Sequence, residues 1–322
     1  MNILVWHVHG SWLTAFVQGP HRYLVPVVQQ PGTAERSPDG LGRARTWNWP
    51  GSVVEVTPDR LREEQIDVVV LQRPRDLELL RAWTGWSAGV DVPAVYVEHD
   101  TPPTPADSRH LLAERADIPL VHVTHFNRVA WDAGSAPTTV IEHGVLDPGP
   151  VWTGEQPRAA VVTNDPGRRG RTVGADLIAP FVRGGVAVDV FGMRVTGLGA
   201  ALGVPVTEFE DLPQAAMHEE LARRRLYLHL TRWTSLGLSL VEAMIIGMPV
   251  VVLAATEAAA VVPPEAGVVS TDVERLVSGA RVLLADPDAA REAGQVARAA
   301  ALERFGLARF LTDWNTLLKE VV

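Results

Sequence analysis

The sequence contains no cysteine among its 322 residues. Disulfide bonds, thiolate catalysis, cysteine-ligated zinc and iron–sulfur clusters are therefore excluded. Basic side chains are also outnumbered, because 29 Lys and Arg stand against 38 Asp and Glu and give a formal net charge of −9. Proteins that bind nucleic acid or dock on anionic membranes use basic surfaces, so this charge argues against both classes.

Long apolar runs are missing as well. No stretch reaches about 18 apolar residues without a charge, the length typical of a membrane-spanning helix. The apolar start Met1–Val8 is too short for a cleavable signal and carries no basic leader. The sequence thus predicts a soluble protein of the cytoplasm, and its 47% apolar residues predict sizeable cores.

Short valine-rich apolar runs alternate with helical stretches along most of the chain. Runs of this kind, without polar alternation, are typical of strands covered on both faces. Their alternation with helices predicts parallel, doubly wound α/β sheets. We expect helices at His21–Gln29, Leu77–Thr84, Ser108–Ala116 and Leu238–Ile246 and a loop at His9–Ser11. Strands are expected at runs that include Val53–Val56, Val68–Leu71, Ala94–Val97, Leu120–Val123, Ala159–Thr163, Leu226–Leu230 and Val250–Leu253.

One segment, residues 147–157, interrupts this alternation with three prolines and two glycines in eleven residues. Such a composition is typical of a connection between domains. We therefore expect a domain at residues 1–150, a second at 157–306, and a last helix at 307–322 that crosses back onto the first. Two open α/β sheets present the carboxyl ends of their strands to ligands, which predicts a cleft for a phosphorylated ligand between the domains.

The stretch Thr231–Val251 carries the most informative pattern: a turn with Gly237, then a helix that contains Glu242. The amides of Leu238 and Ser239 would lie at the helix N-terminus, where an anion is stabilised, and Gly237 would let a ligand approach the backbone. Glu242, one turn further, would accept hydrogen bonds from a diol such as ribose. The alternative is an ordinary strand–helix–strand unit in which Glu242 only caps or forms an ion pair.

This stretch resembles the donor-site signature of the GT-B glycosyltransferases of family 4, which retain the anomeric configuration. The family has a Glu, seven further residues, and then a second Glu that leads into Ala-Met, a Gly and Pro-Val-Val. Glu242-Ala-Met, Gly247 and Pro249-Val-Val match the second half. Thr234 stands where the family has its first Glu, which contacts the donor sugar.

Further similarities occur in the family's order along nearly the whole chain. Each is weak alone, and their order and spacing carry the resemblance. They are the glycine loop Gln18–Leu24, the strand Val95–Asp100 with its His-Asp ending, the strand regions Val121–Arg128 and Val140–Asp147, the helix start Gly174–Ile178 and the C-terminal helices from Glu303 to Trp314.

The resemblance implies a role for each matching position. His99 is expected beside the donor sugar, with Thr234 also at the donor, and Glu242 at the ribose. Gly10 and Gly19 are expected to let the backbone approach the diphosphate, together with the amides of the 237–239 turn. The alternatives are a strand-end histidine satisfied by its neighbours and two ordinary turn glycines.

The family also places an Arg and a Lys after the first strand of the second half. This sequence has Asn164–Arg171 there, and Val173 at the usual Lys position. We expect one or two of Arg168, Arg169 and Arg171 to stabilise the charge that builds on the leaving diphosphate. The alternative is a solvated basic turn.

Acceptor contacts are expected in the first half, from Trp47 and Trp49, whose rings suit sugars and flat acceptors, and from Asp100. The histidines show no His-Glu-x-x-His spacing, so no metal is expected.

The implied activity is retaining transfer of a sugar from a nucleoside diphosphate sugar to a soluble small-molecule or saccharide acceptor, without a cofactor. The departing diphosphate oxygen takes the acceptor's proton in this family, so positioning and charge stabilisation are required more than a protein base. Two alternatives stay open. One is a nucleotide-sugar epimerase or hydrolase on the same fold, and the other is a non-catalytic nucleotide-sugar-binding relative, which Thr234 favours.

Overall fold

The computed structural model describes residues 1–44 and 48–322. The chain divides into two compact units, which are Met1–Val145 with Leu307–Val322, and Leu146–Gly306. Each unit is built around its own sheet of mainly parallel strands with helices between them. The prediction of two doubly wound α/β units is therefore confirmed.

The sheet of the first unit has the strand order β3-β2-β1-β5-β6-β7-β8, and β4 pairs with β2. Neighbouring strands are parallel except for the antiparallel pair β2 and β3. The strands are β1 (Asn2–Val5), β2 (Arg22–Gln29), β3 (Arg36–Leu41), β4 (Val53–Val56), β5 (Val68–Leu71), β6 (Ala94–Glu98), β7 (Leu120–His122) and β8 (Thr138–Val140).

The sheet of the second unit has the order β11-β10-β9-β12-β13-β14, with all neighbours parallel. Its strands are β9 (Gln156–Val162), β10 (Val188–Gly192), β11 (Thr207–Glu210), β12 (Arg224–His229), β13 (Val250–Leu253) and β14 (Gly267–Ser270). β12 and β13 are almost continuously buried, as expected for strands covered on both faces.

Most helices lie between strands along the chain, whereas the last three follow the last strand. None of the helices described combines the length and apolarity needed to cross a bilayer. In chain order they are α1 (Gly10–Phe16), α2 (Pro74–Thr84), α3 (His125–Ala130), α4 (Pro166–Arg169), α5 (Ile178–Arg183), α6 (Leu198–Leu202), α7 (Gln214–Arg223), α8 (Leu238–Ile246), α9 (Ala258–Val261), α10 (Val273–Ala285), α11 (Pro287–Phe305) and α12 (Leu307–Val321).

The last helix, α12, packs in the first unit because its apolar residues recur every four positions. Phe310, Trp314 and Leu318 form one buried stripe. The Trp314 ring lies 5.0 Å from that of Phe16 and 5.6 Å from that of Trp12, both on α1. An aromatic cluster thus joins α1 to the end of the chain.

In the second unit, α8 is buried on all sides along most of its length, as its nearly uninterrupted apolar sequence requires. α11 lies against it through small residues. A Cβ at Gly294 would stand 2.1 Å from the carbonyl oxygen of Gly247, so only glycine allows this approach. Gly247 itself ends α8 in the left-handed conformation with φ of 99°. α8 therefore occupies a fixed position.

Leu77–Thr84 lies within the observed helix α2, but two other helices expected in the first half are wrong. His21–Gln29 is strand β2 from residue 22 onward, where its Val-rich sequence is paired on one side with β1 and on the other with β4. Residues 108–116 form turns, because long-range bonds replace helical ones: the His110 amide donates to the carbonyl of Asp132. By contrast, the expected loop at Gly10 begins helix α1.

Candidate functional site

The strand order of the second sheet reverses between β9 and β12. In doubly wound sheets, ligands bind at such a point, outside the edge where the strands end, which we call the carboxyl edge. The loops after β9 and β12 are joined here, since the Arg232 amide donates to the Thr172 carbonyl at 2.9 Å. A Cβ on Gly174, which has φ of 73°, would lie 1.9 Å from the Leu230 carbonyl oxygen. Residues 168–171, which we call the arginine turn, and the loop before α8 therefore lie at the same edge of the sheet.

Glu242 lies in the second turn of α8 and is only 4% exposed. Its Oε1 accepts a hydrogen bond from Nε2 of Gln214 at 2.9 Å, and its Oε2 lies 3.6 Å from Nε2 of His218. Both partners come from α7, which begins at the carboxyl edge because it follows β11. Sequence reasoning missed Gln214 and His218. The only available signal was a helix start directly after a strand.

The turn before α8 and the first turn of α8 contact two side chains of β12, those of His229 and Tyr227. Gly237 is the N-cap residue, and a Cβ there would lie 2.6 Å from Cε1 of His229. Burial lowers the pKa of His229 to about 4, so the ring is neutral near pH 7. The Tyr227 hydroxyl donates to Oγ of Ser239 at 2.8 Å. Leu238 and Ser239 are half-buried, and their amides belong to the first helical turn, which lacks intrahelical acceptors.

The three arginines of the arginine turn differ in their contacts. Arg168 donates from Nε to Asp165 at 2.6 Å, and its side chain is 74% exposed. Arg171 donates to Asp176 at 2.8 Å and is 76% exposed. Arg169 is half-buried and forms no side-chain hydrogen bond or ion pair with any residue that the structure describes. Of the three guanidinium groups, only that of Arg169 has no carboxylate partner among residues 1–44 and 48–322.

A fourth arginine at this edge was not anticipated. Arg232, directly after β12, donates to both carboxylate oxygens of Asp176 at 2.6 and 2.9 Å, and to the carbonyl of Arg171 at 2.8 Å. Its guanidinium holds the pKa of Asp176 below its usual range. Arg232 therefore fixes the arginine turn against the loop that leads to α8. Thr234, in that loop, is half-buried.

In the first unit, histidines follow the ends of three parallel strands. The ring of His99, after β6, stacks on that of His9, after β1, with centroids 3.9 Å apart, and lies 6.4 Å from that of His143, after β8. The edge of the Trp12 ring adjoins His99 at 5.0 Å. Burial lowers the pKa of His99 well below its usual value and that of His143 to about 3. The carboxyl edge of this unit is therefore lined by neutral imidazoles near pH 7.

Asp100 follows this row and is exposed. Burial lowers the pKa of His9, and the nearby Asp100 carboxylate partly opposes that effect. The sequence pointed to His99 and Asp100, but not to His9 and His143 as their neighbours. Among the residues with coordinates, no group of three His, Asp or Glu side chains is arranged to hold a metal ion.

The two glycines expected at the diphosphate lie at opposite edges of the first sheet. Gly10 begins α1 at the carboxyl edge. Gly19 follows the end of α1 and precedes β2, so it lies where the strands begin, and a Cβ there would stand 2.4 Å from the Tyr23 hydroxyl. Gly19 is therefore not placed to contact a ligand at the carboxyl edge, and its glycine is explained by close packing.

The expectation that Trp49 contacts an acceptor is also wrong. Trp49 is 2% exposed, its Nε1 donates to Oγ1 of Thr14 at 2.7 Å, and its ring lies 4.9 Å from that of His7. With its ring buried and its only donor satisfied, it has no surface left for a ligand. Trp47, the other candidate, lies outside the described residues.

The family comparison agrees with the chemistry of the second unit. The family described as glycosyl transferase-like matches residues 168–315, which include the arginine turn, the Glu242 helix and most of the chain after that helix. Over this segment, which is less than half of the chain, the sequence is similar to glycosyltransferases. No curated protein sequence matches this chain significantly.

Solved structures share its fold at low sequence identity. Sucrose-phosphate synthase from Thermosynechococcus elongatus is 13% identical with a TM-score of 0.71, over 99% of this chain and 98% of the other. HepE from Anabaena, solved with UDP, is 16% identical with a TM-score of 0.68, over 99% and 100%. TarM from S. aureus is 14% identical with a TM-score of 0.65 over 78% of this chain, which spans about 55% of the TarM chain.

Proposed function

We propose that this protein is a glycosyltransferase that moves a sugar from a nucleoside diphosphate sugar to a soluble small-molecule or saccharide acceptor, with retention of configuration. The observation that carries the proposal is the buried Glu242, held by Gln214 beside the N-terminus of α8 at the switch point of the second sheet. A carboxylate there can accept hydrogen bonds from both hydroxyls of a ribose. The helix amides would bind the attached phosphates.

A uridine donor is the first to test. HepE has been solved with UDP and with UDP-glucose, and TarM with UDP. The fold shared with these proteins supports a nucleotide at the second unit, and the half-buried edge around Glu242 offers the matching hydrogen-bond acceptors.

We place Arg169 at the diphosphate. Cleavage of the sugar–phosphate bond builds negative charge on the leaving group, and a fixed guanidinium stabilises it most where water is excluded. Arg168 and Arg171 are exposed and engaged by carboxylates, whereas Arg169 is half-buried and not so engaged among the described residues. The departing diphosphate oxygen would accept the acceptor's proton, so no protein base is required.

We assign the acceptor and the donor sugar to the carboxyl edge of the first unit. The neutral His99 imidazole can form hydrogen bonds with sugar hydroxyls without adding charge, and the exposed Asp100 carboxylate can orient an acceptor hydroxyl. No cofactor or metal has a role in this scheme.

The experiment is a turnover assay across uridine and other nucleoside diphosphate sugars with an acceptor panel, followed by NMR of the product to read the anomeric configuration. Glu242→Ala should raise the Kd for the nucleoside diphosphate by about tenfold, since one hydrogen-bonding group worth about 1.4 kcal/mol is lost. Glu292→Gln on the exposed face of α11 is the matched control.

Each other outcome identifies a different activity. An unchanged Kd in Glu242→Ala would contradict the ribose role. Free sugar or an epimerised donor without any acceptor would indicate a hydrolase or epimerase. Nucleotide binding without turnover would indicate a binding protein, as Thr234 at the donor position suggests.

A further inference from the structure

A buried pair of polar side chains, Glu98 and His110, lies beneath the Asp100 loop. Glu98 is 6% and His110 2% exposed, and Oε2 of Glu98 is 3.0 Å from Nε2 of His110. The amide of Leu112 donates to Nδ1 of His110 at 3.1 Å, so the proton of a neutral ring is on Nε2. His110 therefore donates to the Glu98 carboxylate.

The second oxygen of Glu98 holds the backbone of Asp100. Oε1 accepts the Asp100 amide at 2.8 Å. On the other side of the residue, the Asp100 carbonyl accepts from Nδ2 of Asn127 at 3.0 Å and from Nε1 of Trp131 at 2.8 Å. Both polar backbone atoms of Asp100 are thus bonded to side chains, the amide to Glu98 and the carbonyl to residues at α3.

The Asp100 side chain differs from the Asp100 backbone in its exposure and its hydrogen bonding. It is exposed, and its carboxylate forms no hydrogen bond or ion pair with any residue in ranges 1–44 and 48–322. A charged group whose backbone is fixed on both sides, and whose oxygens stay available at the carboxyl edge, is preorganised for a ligand. Binding then requires little ordering of the protein.

We propose that the Glu98–His110 pair is a positioning device for Asp100, and that Asp100 so held binds a sugar or polyol hydroxyl of the acceptor. This rests on the proposed function and deepens it, because it names the chemical class of the acceptor group and the residues that set its affinity. Glu98 and His110 do not touch the acceptor. They act through the Asp100 amide, which their carboxylate–imidazole bond keeps in place.

The central variants are His110→Leu and His110→Gln. Leucine removes the donor to Glu98, whereas the glutamine amide reaches about as far as Nε2 of the imidazole and can still donate. We expect His110→Leu to raise the acceptor KM about tenfold while the donor KM stays within about twofold, and His110→Gln to recover most of the acceptor affinity. His21→Leu, near the opposite edge of the sheet, controls for loss of a histidine.

A double-mutant cycle with Asp100→Asn shows whether the pair acts through Asp100. If it does, His110→Leu adds little to the acceptor KM of Asp100→Asn, because the interaction it supports has already been removed. Additive losses, or an equal rise of both KM values, would overturn the proposal.

Amide hydrogen exchange at Asp100 supplies a readout that needs no turnover. The Asp100 amide should exchange faster in His110→Leu than in the wild type and return toward wild-type protection in His110→Gln. If the wild type transfers no sugar to any acceptor, the proposed function fails, and the exchange result alone decides whether the pair positions Asp100. Unchanged protection in His110→Leu would then overturn the positioning role.

Discussion

The two units have the same sheet architecture and different chemistry at their carboxyl edges. The first unit holds eight of the ten histidines and eight of the ten tryptophans, and its edge carries a row of neutral imidazoles that are buried or half-buried. The second unit presents a buried carboxylate, a glycine turn and guanidinium groups at the same place in its sheet. Neutral rings suit uncharged sugar hydroxyls, whereas backbone amides and arginines suit phosphates. The topology thus gives the two units comparable edges, and the side chains give those edges different chemistry.

Acid should distinguish the units most strongly. Burial lowers the pKa of His122 to about 4 and that of His143 to about 3, and His99 is lowered as well. As the pH falls through 6.5, these histidines take up protons in the unfolded chain before they do so in the folded protein. The free energy of unfolding is therefore full above pH 6.5 and decreases progressively below it. At pH 5 each such histidine should lower the free energy of unfolding by about 2 kcal/mol.

The second unit has one histidine of this kind, His229, so its stability should decrease less as the pH falls. Part of the loss in the first unit is offset, because burial raises the pKa of Asp76 and Glu98. Hydrogen exchange of β6 and β12 amides between pH 7 and pH 5 would measure both units. Equal loss of protection in the two sheets would contradict the comparison, and His122→Leu should reduce the loss in β6.

Removing an aromatic anchor should affect one unit at a time. Trp314→Ala opens a cavity in the cluster of α1 and α12, and should destabilise the first unit by about 3–5 kcal/mol. Trp152→Ala is the reciprocal change, since Nε1 of Trp152 donates to the Arg224 carbonyl in the second unit. Denaturant titrations followed by exchange in β5 and β9 would report each unit. Loss of protection in β9 caused by Trp314→Ala would show that the units do not respond separately.

The arginines of the second edge should differ in their effect on nucleotide binding. Arg169→Ala should raise the Kd for UDP about tenfold, because a charge-assisted hydrogen bond is worth about 1.5 kcal/mol or more. Isothermal titration calorimetry at fixed salt would measure it. Arg168→Ala and Arg171→Ala should change the Kd less than about twofold, since exposed ion pairs contribute little. The reverse ranking would place the diphosphate elsewhere on the turn.

His99→Asn should give the smallest change in nucleotide affinity. His99 belongs to the first unit, so the Kd for UDP should stay within about twofold while kcat falls. Titration and initial rates on the same preparation would separate the two quantities. A large change in the UDP Kd would place the nucleotide beside the imidazole row instead.

The sequence allowed the elements of the second half to be predicted well, because their signals are local. The helix Leu238–Ile246 has the predicted bounds, which are set by a glycine at each end. β2 was mistaken for a helix because a short apolar run fits both structures when its partners are unknown. The resemblance implied that Gly19 approaches the diphosphate, whereas in the structure its close packing on Tyr23 accounts for the glycine.

Site residues contributed by distant segments could not be found in the same way. Gln214 and Glu242 are 28 positions apart and meet only because α7 and α8 both begin at one sheet edge. Likewise, the stacking of His9, His99 and His143 depends on the order β1, β6 and β8 within the sheet. Trp49 looked like a surface aromatic in a Gly- and Arg-rich stretch, yet Thr14 satisfies its donor inside the unit.

The most direct test of the account is hydrogen–deuterium exchange with and without saturating UDP. We expect added protection in peptides covering residues 165–176 and 231–246, little change in β5 and β6, and no such protection in Glu242→Ala at the same UDP concentration. Protection confined to the first unit, or equal protection in the wild type and Glu242→Ala, would contradict the claim that the second sheet's carboxyl edge binds the nucleotide.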